Sequence, residues 1–245
     1  MGRSSMSFTT KAALGVTAAA AVCLSAVGCG TSSDPLAGMT AKQIATKAIS
    51  DLKSAPSFTA TGSGPYDGQT ATMSFGVKGN GCTMTVDMGS KGSMTMTMIG
   101  TTSWVKGDAA FWKAATASQG GGTADMGNMF AGKYLKIPAD AGSGLPPTAG
   151  MCDVNQMTSS SSQMPLTVDV AKGTMTTVNG QKVYTLTDKA KDITMYVTDT
   201  STPQIIKVVS KQNGNSGEFT ITFGAPKSIT APPASETAVL PGLGS

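Results

Sequence analysis

Two hydrophobic periodicities divide the chain. Between Thr40 and Pro56, Ile44, Ala48 and Leu52 recur every four residues, with Ala45 and Ile49 beside them. That spacing lays an apolar stripe along one side of an α-helix, and Thr40-Ala41-Lys42-Gln43 has the form of a capping box at its start. The helix should end before Pro56, because a residue preceding proline disfavours the α conformation. Lys42, Lys47 and Lys53 lie off the stripe, on a solvated face.

From Phe58 to Lys106 the period becomes two. Met73-x-Phe75-x-Val77, Cys82-x-Met84-x-Val86-x-Met88 and Met94-x-Met96-x-Met98 alternate with Ser, Thr, Asp, Gly or Lys. Alternate residues of a strand share a face, so this reads as an antiparallel meander with one apolar side. Gly79-Asn80-Gly81 and Gly89-Ser90-Lys91-Gly92 fall where its turns are needed. A second meander follows from about Pro165, with strands at 174–178, 182–187, 193–198, 205–210 and 218–223 and turns at Asn179-Gly180, 199–203 and 213–217. Between the meanders, 108–117 and 124–130 read as short helices around Gly120-Gly121-Gly122, and another short helix starts at Asp153. The expectation is an α+β domain with a single curved antiparallel sheet or open barrel.

The first thirty residues obey neither period. Arg3 and Lys11 precede an Ala-rich apolar run over 12–27, too short and small-sided for a stable membrane span, which reads as a secretory signal. The run closes in Leu24-Ser25-Ala26-Val27-Gly28-Cys29 and resembles a bacterial lipobox. In that motif a small residue, here Gly28, precedes the cut, and the Cys29 thiol receives a diacylglycerol. Ala26 departs from the pattern, in which Leu is more usual, and the alternative is an ordinary signal with an incidental cysteine. The organisation expected is a lipoprotein signal peptide at 1–28, a flexible tether at 29–39, one domain at 40–230 and an irregular Pro-containing tail at 231–245.

Processing alters the charge and cysteine arithmetic. Removing residues 1–28 from 245 leaves 217, with 16 Lys, no Arg and 14 acids, so the net charge falls from +4 to +2. No electrostatic stripe remains for nucleic acid or an anionic surface, and membrane attachment is left to the lipid. Cys23 follows Val22 and fails the lipobox test, so Cys82 and Cys152 are the two thiols left in an oxidising compartment. We expect them to pair. A redox role is the weaker reading, since no C-x-x-C spacing lowers a thiol pKa.

Several segments resemble a known family. Ser103-Trp104-Val105-Lys106-Gly107-Asp108, Phe111-Trp112-Lys113 and Tyr134-Leu135-Lys136-Ile137-Pro138 look like the corresponding stretch of actinobacterial envelope lipoproteins. Asn179-Gly180, Tyr184-Thr185-Leu186, Met195-Tyr196-Val197, Thr202-Pro203 and Ile205-Ile206-Lys207-Val208 follow in the family's order. The proteins in question are the mycobacterial LppX and LprG lipoproteins and the periplasmic carrier LolA, and the resemblance spans about 40–230. It implies a half-barrel sheet with helices on its concave face, and an apolar cavity between them that holds acyl chains. Met84, Val86, Met88, Met94, Met96, Met98, Trp104 and Phe111 are the candidate lining.

Catalytic signatures are missing. The sequence contains no His, the commonest general base and zinc ligand. Thioethers can hold Cu(I), but Met94, Met96 and Met98 share their face with Cys82 and Val86, which favours core or cavity lining. The phosphate-loop spacing over 127–133 is followed by Tyr134 where Ser or Thr must reach a magnesium ion, and Ser50-x-x-Lys53 lacks the partner motifs of penicillin-recognising enzymes. Pairs such as Asp188 with Asp192 read as solvated turns. No enzyme, metal or cofactor is expected. The function expected is non-catalytic binding of an acylated or hydrophobic envelope molecule, on the extracytoplasmic side of the membrane. The alternative is a structural or interaction module of the same fold with a filled interior.

Overall fold

The computed structural model describes residues 34–66, 69–117, 129–137, 152–155, 158, 167–212, 215–226 and 228–239. Helix α1 (Ala41–Ser54) forms where the four-residue period demanded it. Thr40 Oγ1 accepts from the Gln43 amide, and Gln43 Oε1 accepts from the Thr40 amide at 2.8 Å, which closes the capping box. Its stripe of Ala41, Ile44, Ala45, Ala48 and Leu52 is buried.

Strands β1 (Ser57–Tyr66), β2 (Gln69–Lys78), β3 (Gly81–Asp87), β4 (Ser93–Ile99) and β5 (Thr102–Gly107) make the first meander. Helix α2 (Ala109–Ala117) and β6 (Tyr134–Ile137) follow. The second meander is β7 (Ala171–Val178), β8 (Gln181–Asp188), β9 (Ile193–Thr198), β10 (Ile205–Gln212) and β11 (Asn215–Phe223). At the β7–β8 turn both Asn179 and Gly180 have positive φ, 50° and 78°, as a two-residue type I′ hairpin requires.

One pairing fuses the meanders. β1 runs antiparallel to β11 from Phe58 opposite Phe223 to Ser63 opposite Glu218. The result is a single open, curved sheet in the order β12-β6-β5-β4-β3-β2-β1-β11-β10-β9-β8-β7. Strand β12 is Thr237–Val239, paired in parallel with β6.

That last strand amends the reading of 231–245 as an irregular tail. Lys106 and Glu236, whose charged groups stand 3.7 Å apart, and the Thr237 hydroxyl, bonded to the Pro233 carbonyl at 2.9 Å, hold the segment at the β6 edge. On its way from β11 the chain passes over the outer face of the sheet. Pro226 lies against Gly76 and Ile229 against Gly81, each within about 3.2 Å of where a Cβ would stand, so larger residues at 76 and 81 would displace the strap.

The tether expected at 29–39 is also shorter than its sequence suggests. Leu36 is 1% exposed and Asp34 and Met39 are half-buried, while Pro35, Ala37 and Gly38 are exposed. The helix expected over 124–130 lies mostly outside the described residues, where only Met129 and Phe130 are seen as helical; Val154, Asn155 and Thr158 are helical as well.

Candidate functional site

The strand registers sort the side chains into two faces. Residues opposite one another in neighbouring strands point the same way, so one inner row reads Phe58, Val77, Cys82, Met98, Ser103, Ile137 and the next Ile221, Ala60, Phe75, Met84, Met96, Val105, Leu135. The third, at the opposite end of the strands, reads Phe219, Gly62, Met73, Val86, Met94, Gly107. Their closure is graded. The first row is buried except at its end, where Phe223, opposite Phe58, is partly exposed; in the second Phe75 and Met84 are partly exposed; in the third Phe219, Met73 and Met94 are partly exposed and Val86 is buried. Apolar surface therefore remains accessible along the sheet, running from Phe75 and Met84 to Met73, Met94 and Phe219.

The sequence-predicted lining divides on this geometry. Met84, Val86, Met94, Met96 and Met98 share the inner face, with Met96 and Met98 built into the core cluster. Met88 lies beyond the end of β3, where its amide bonds the Gly92 carbonyl at 3.0 Å. Trp104 does not join them. It stands opposite Thr97 and Lys136, on the outer face, because it is one residue out of phase with Ser103 and Val105. Its inclusion in the lining is corrected accordingly.

Aromatic cover for the inner face comes instead from α2. Asp108 starts that helix by accepting from the Phe111 amide at 2.8 Å, and its other oxygen accepts from the Ser93 amide at 2.8 Å and the Ser93 hydroxyl at 3.0 Å. The Phe111 amide, then the Ser93 donors, hold this carboxyl below the usual carboxylate range. Gly107 has no side chain, which leaves room for the Phe111 ring to lie on the end of β5. Phe111 and Trp112 are edge to face at 5.1 Å, and Trp112 is 6.2 Å from Phe130. Trp112 and Phe130 are buried in the core cluster, while Phe111 is partly exposed beside it. The register rules that place strand residues say nothing of a helix joined through a turn, so Phe130 was not legible as cover.

Cys82 and Cys152 form a disulfide with their Cα atoms 5.3 Å apart, pinning the segment after β6 to the inner face at β3. The lipidation candidate, Cys29, lies outside the described residues. Three grooves run along the described surface: about 550 Å³ on the polar side of α1, about 310 Å³ where β4 and β5 meet the start of α2, and about 340 Å³ between the end of α1 and the start of β1. None of these three is an apolar cavity between sheet and helices. Among the described residues no cluster of three or more Cys, Asp or Glu side chains comes together, and no helix is long and apolar enough to cross a membrane.

A polar cluster lies on the same face at the other half of the sheet. Tyr184 donates to the Asp34 carboxylate, and Lys172 Nζ stands 4.0 Å from the centre of the Tyr184 ring. The Tyr184 hydroxyl holds Asp34 below the usual carboxylate range, and the same bond pushes Tyr184 up to about 12. Asp199 is shifted upward, first by burial and then by the neighbouring Asp34 carboxylate. The cluster fastens residues 34–39 to the sheet.

No family model matches the sequence, and no curated protein is similar to it. Among solved structures, the chain is similar to LprF from Mycobacterium bovis, with 12% identity over 78% of this chain and 96% of that one and a TM-score of 0.49. It is also similar to an uncharacterized conserved protein from Thermus thermophilus, with 10% identity over 81% and 98% and a TM-score of 0.37. The Mycobacterium tuberculosis lipoprotein LppX gives 9% identity over 78% of this chain and 98% of that one, with a TM-score of 0.44.

Proposed function

We propose that the chain is an envelope lipoprotein, held on the outer side of the cell membrane by a lipid on Cys29, that binds the acyl part of a hydrophobic molecule without transforming it. The observation that carries the reading is the accessible apolar surface of Phe75, Met84, Met73, Met94 and Phe219. An acyl chain laid there gains about 0.8 kcal/mol for each CH₂ removed from water, and needs no charged anchor. Methionine suits such a surface because its unbranched, polarizable side chain adapts to chains of different shape.

Two measurements test this. Protein purified from its own envelope should carry an acylated molecule visible by native mass spectrometry, and the soluble domain should bind a fluorescent fatty acid saturably. Met84→Glu, which places a charge on the strip, should weaken that binding at least tenfold. A chain that emerges without any lipid and shows no saturable binding is a structural module, and the carrier reading would then be abandoned.

A further inference from the structure

The same registers that build the inner face align a row of hydroxyls on the outer one. Thr220, Thr61, Ser74, Thr85 and Thr95 stand side by side on β11, β1, β2, β3 and β4. Each is at least partly exposed. Four strand spacings separate the first from the last, about 19 Å at roughly 4.8 Å each. The strap crosses this face at Gly76 and Gly81, one and two rows away, and leaves the hydroxyl row accessible. Thr85 and Thr95 bond each other at 3.1 Å, which fixes the middle of the row without using up its donors and acceptors.

Both ends of the row close in the same way. On one side Thr220 is followed by Lys207 and Tyr196, and on the other Thr95 is followed by Lys106 and Tyr134. The Lys207 ammonium lies 5.7 Å from the centre of the Tyr196 ring, and the Lys106 ammonium 4.8 Å from that of Tyr134, so each ring is steadied while it stays partly exposed. Each lysine is also neutralised. Lys207 Nζ stands 2.7 Å from Glu218 Oε1, and Lys106 Nζ 3.7 Å from Glu236 Oε2. At the second end, Thr95 and Lys106 also line the groove of about 310 Å³ described above.

We propose that this row is a second binding site, and that it takes an uncharged, extended glycan chain laid across the strands. A solvated sheet face ordinarily mixes charges of both signs, whereas these five strands offer the row only hydroxyls. Hydroxyls both donate and accept, as the hydroxyls of a sugar do, and the flanking rings offer flat apolar surface to the C–H faces of a pyranose. In a β-1,4-linked chain the rings form a ribbon whose repeat is close to the spacing of strands, so each strand meets one ring. A polyanion is disfavoured. The two lysines are already paired, and Glu218 and Asp87 stand in the neighbouring row. The site is separate from the acyl-binding strip, which occupies the opposite face.

Calorimetric titration of the full-length protein, in a detergent without a sugar headgroup, provides the test. Cellohexaose or chitohexaose should bind, at least tenfold more tightly than the corresponding disaccharide. The affinity should change less than twofold between low salt and about 0.5 M NaCl, because no ion pair forms. Thr85→Val with Thr95→Val removes both hydroxyls of a bonded pair and keeps their shape, so the urea midpoint should hold while glycan affinity falls at least fivefold. Tyr134→Ala or Tyr196→Ala should weaken it similarly, and none of these changes should alter fatty-acid binding on the inner face. Failure of both hexamers to bind overturns the proposal, and so does an affinity equal for hexamer and disaccharide or untouched by the paired valines. If the unaltered chain instead sediments as a dimer that the paired valines dissociate, the row is the seat of a second copy and the glycan site is withdrawn.

Discussion

The sheet under α1 and the sheet beside α2 are continuous, yet they are closed to different degrees. On the α1 side Leu186, Ile193, Met195, Val197 and Ile205 are fully buried, and the stripe of α1 fills the space above them. Beside α2, Phe75, Met84, Met73 and Met94 stay partly exposed on the same face. The side chains differ accordingly. Branched Ile and Val are stiff at χ1 and pack well against a fixed partner, while Met, with three rotatable bonds, tolerates a partner that changes. The close packing is concentrated in one half, and the accessible apolar surface in the other.

The disulfide compensates for the looser half, so its loss should have the largest effect. It closes a loop with a separation of 70 residues, for which the loss of loop entropy in the unfolded chain gives about 4 kcal/mol. Cys82→Ala with Cys152→Ala should lower the denaturation free energy by about that amount, measured in urea with and without reductant. If reduction leaves the midpoint unchanged, the open half is held by packing alone.

A matched pair of methionines then sharpens the contrast. Met195 is fully buried under α1 and Met84 is partly exposed on the strip. Met195→Ala should cost about 3 kcal/mol, from lost burial plus the cavity left in a rigid surround, whereas Met84→Ala should cost about 1 kcal/mol. Equal losses in chemical denaturation would mean that the two halves are closed alike.

The Tyr184–Asp34 hydrogen bond adds a titration. Tyr184 is raised to about 12 from an ordinary value of 10.0, chiefly by its bond to Asp34. A raised folded value contributes stability that is present below pH 10 and lost as the pH climbs through about 12. For Asp34 the sign reverses: its contribution is present above its ordinary 3.8 and disappears as the pH falls through the lower folded value. Asp34→Asn should bring the highest-pH component of the tyrosinate absorbance at 295 nm down from about 12 towards 10. A titration that does not move would show that another group holds the hydroxyl.

How far the sequence reached differs between strands and their neighbours. Alternation at Met94, Met96 and Met98 announced both the strand and its apolar face, and Asn179-Gly180 announced a hairpin, because both signals are local. The closure of the sheet through β1 and β11 was not legible: Phe58 and Phe223 are 165 positions apart, and nothing near either residue selects the other. Strand β12 was hidden for a related reason. Thr237, Ala238 and Val239 are too few to show a period, and the edge of β6 that they cover exists only once the sheet has formed. Leu36 was read as tether because one apolar residue among small polar ones has no pattern; its burial depends on Lys172 and Tyr184, more than a hundred residues away.

Trp104 marks where sequence proximity misled, and its substitution should have the smallest effect on binding. It adjoins Val105, an inner-face residue, and lies shortly before Phe111, which made Trp104 and Phe111 look like parts of one lining. In a strand, however, successive side chains face opposite ways, and the pairing with Thr97 and Lys136 puts the Trp104 ring on the side away from Met96 and Val105. An outer-face ring cannot touch a chain lying along Phe75, Met84 and Met94. Trp104→Ala should therefore change the affinity for a fluorescent fatty acid less than twofold, while Met94→Ala, on the strip itself, should weaken it severalfold. If Trp104→Ala weakens binding as much as Met94→Ala does, the acyl ligand lies on the outer face, and the inner strip is not its site.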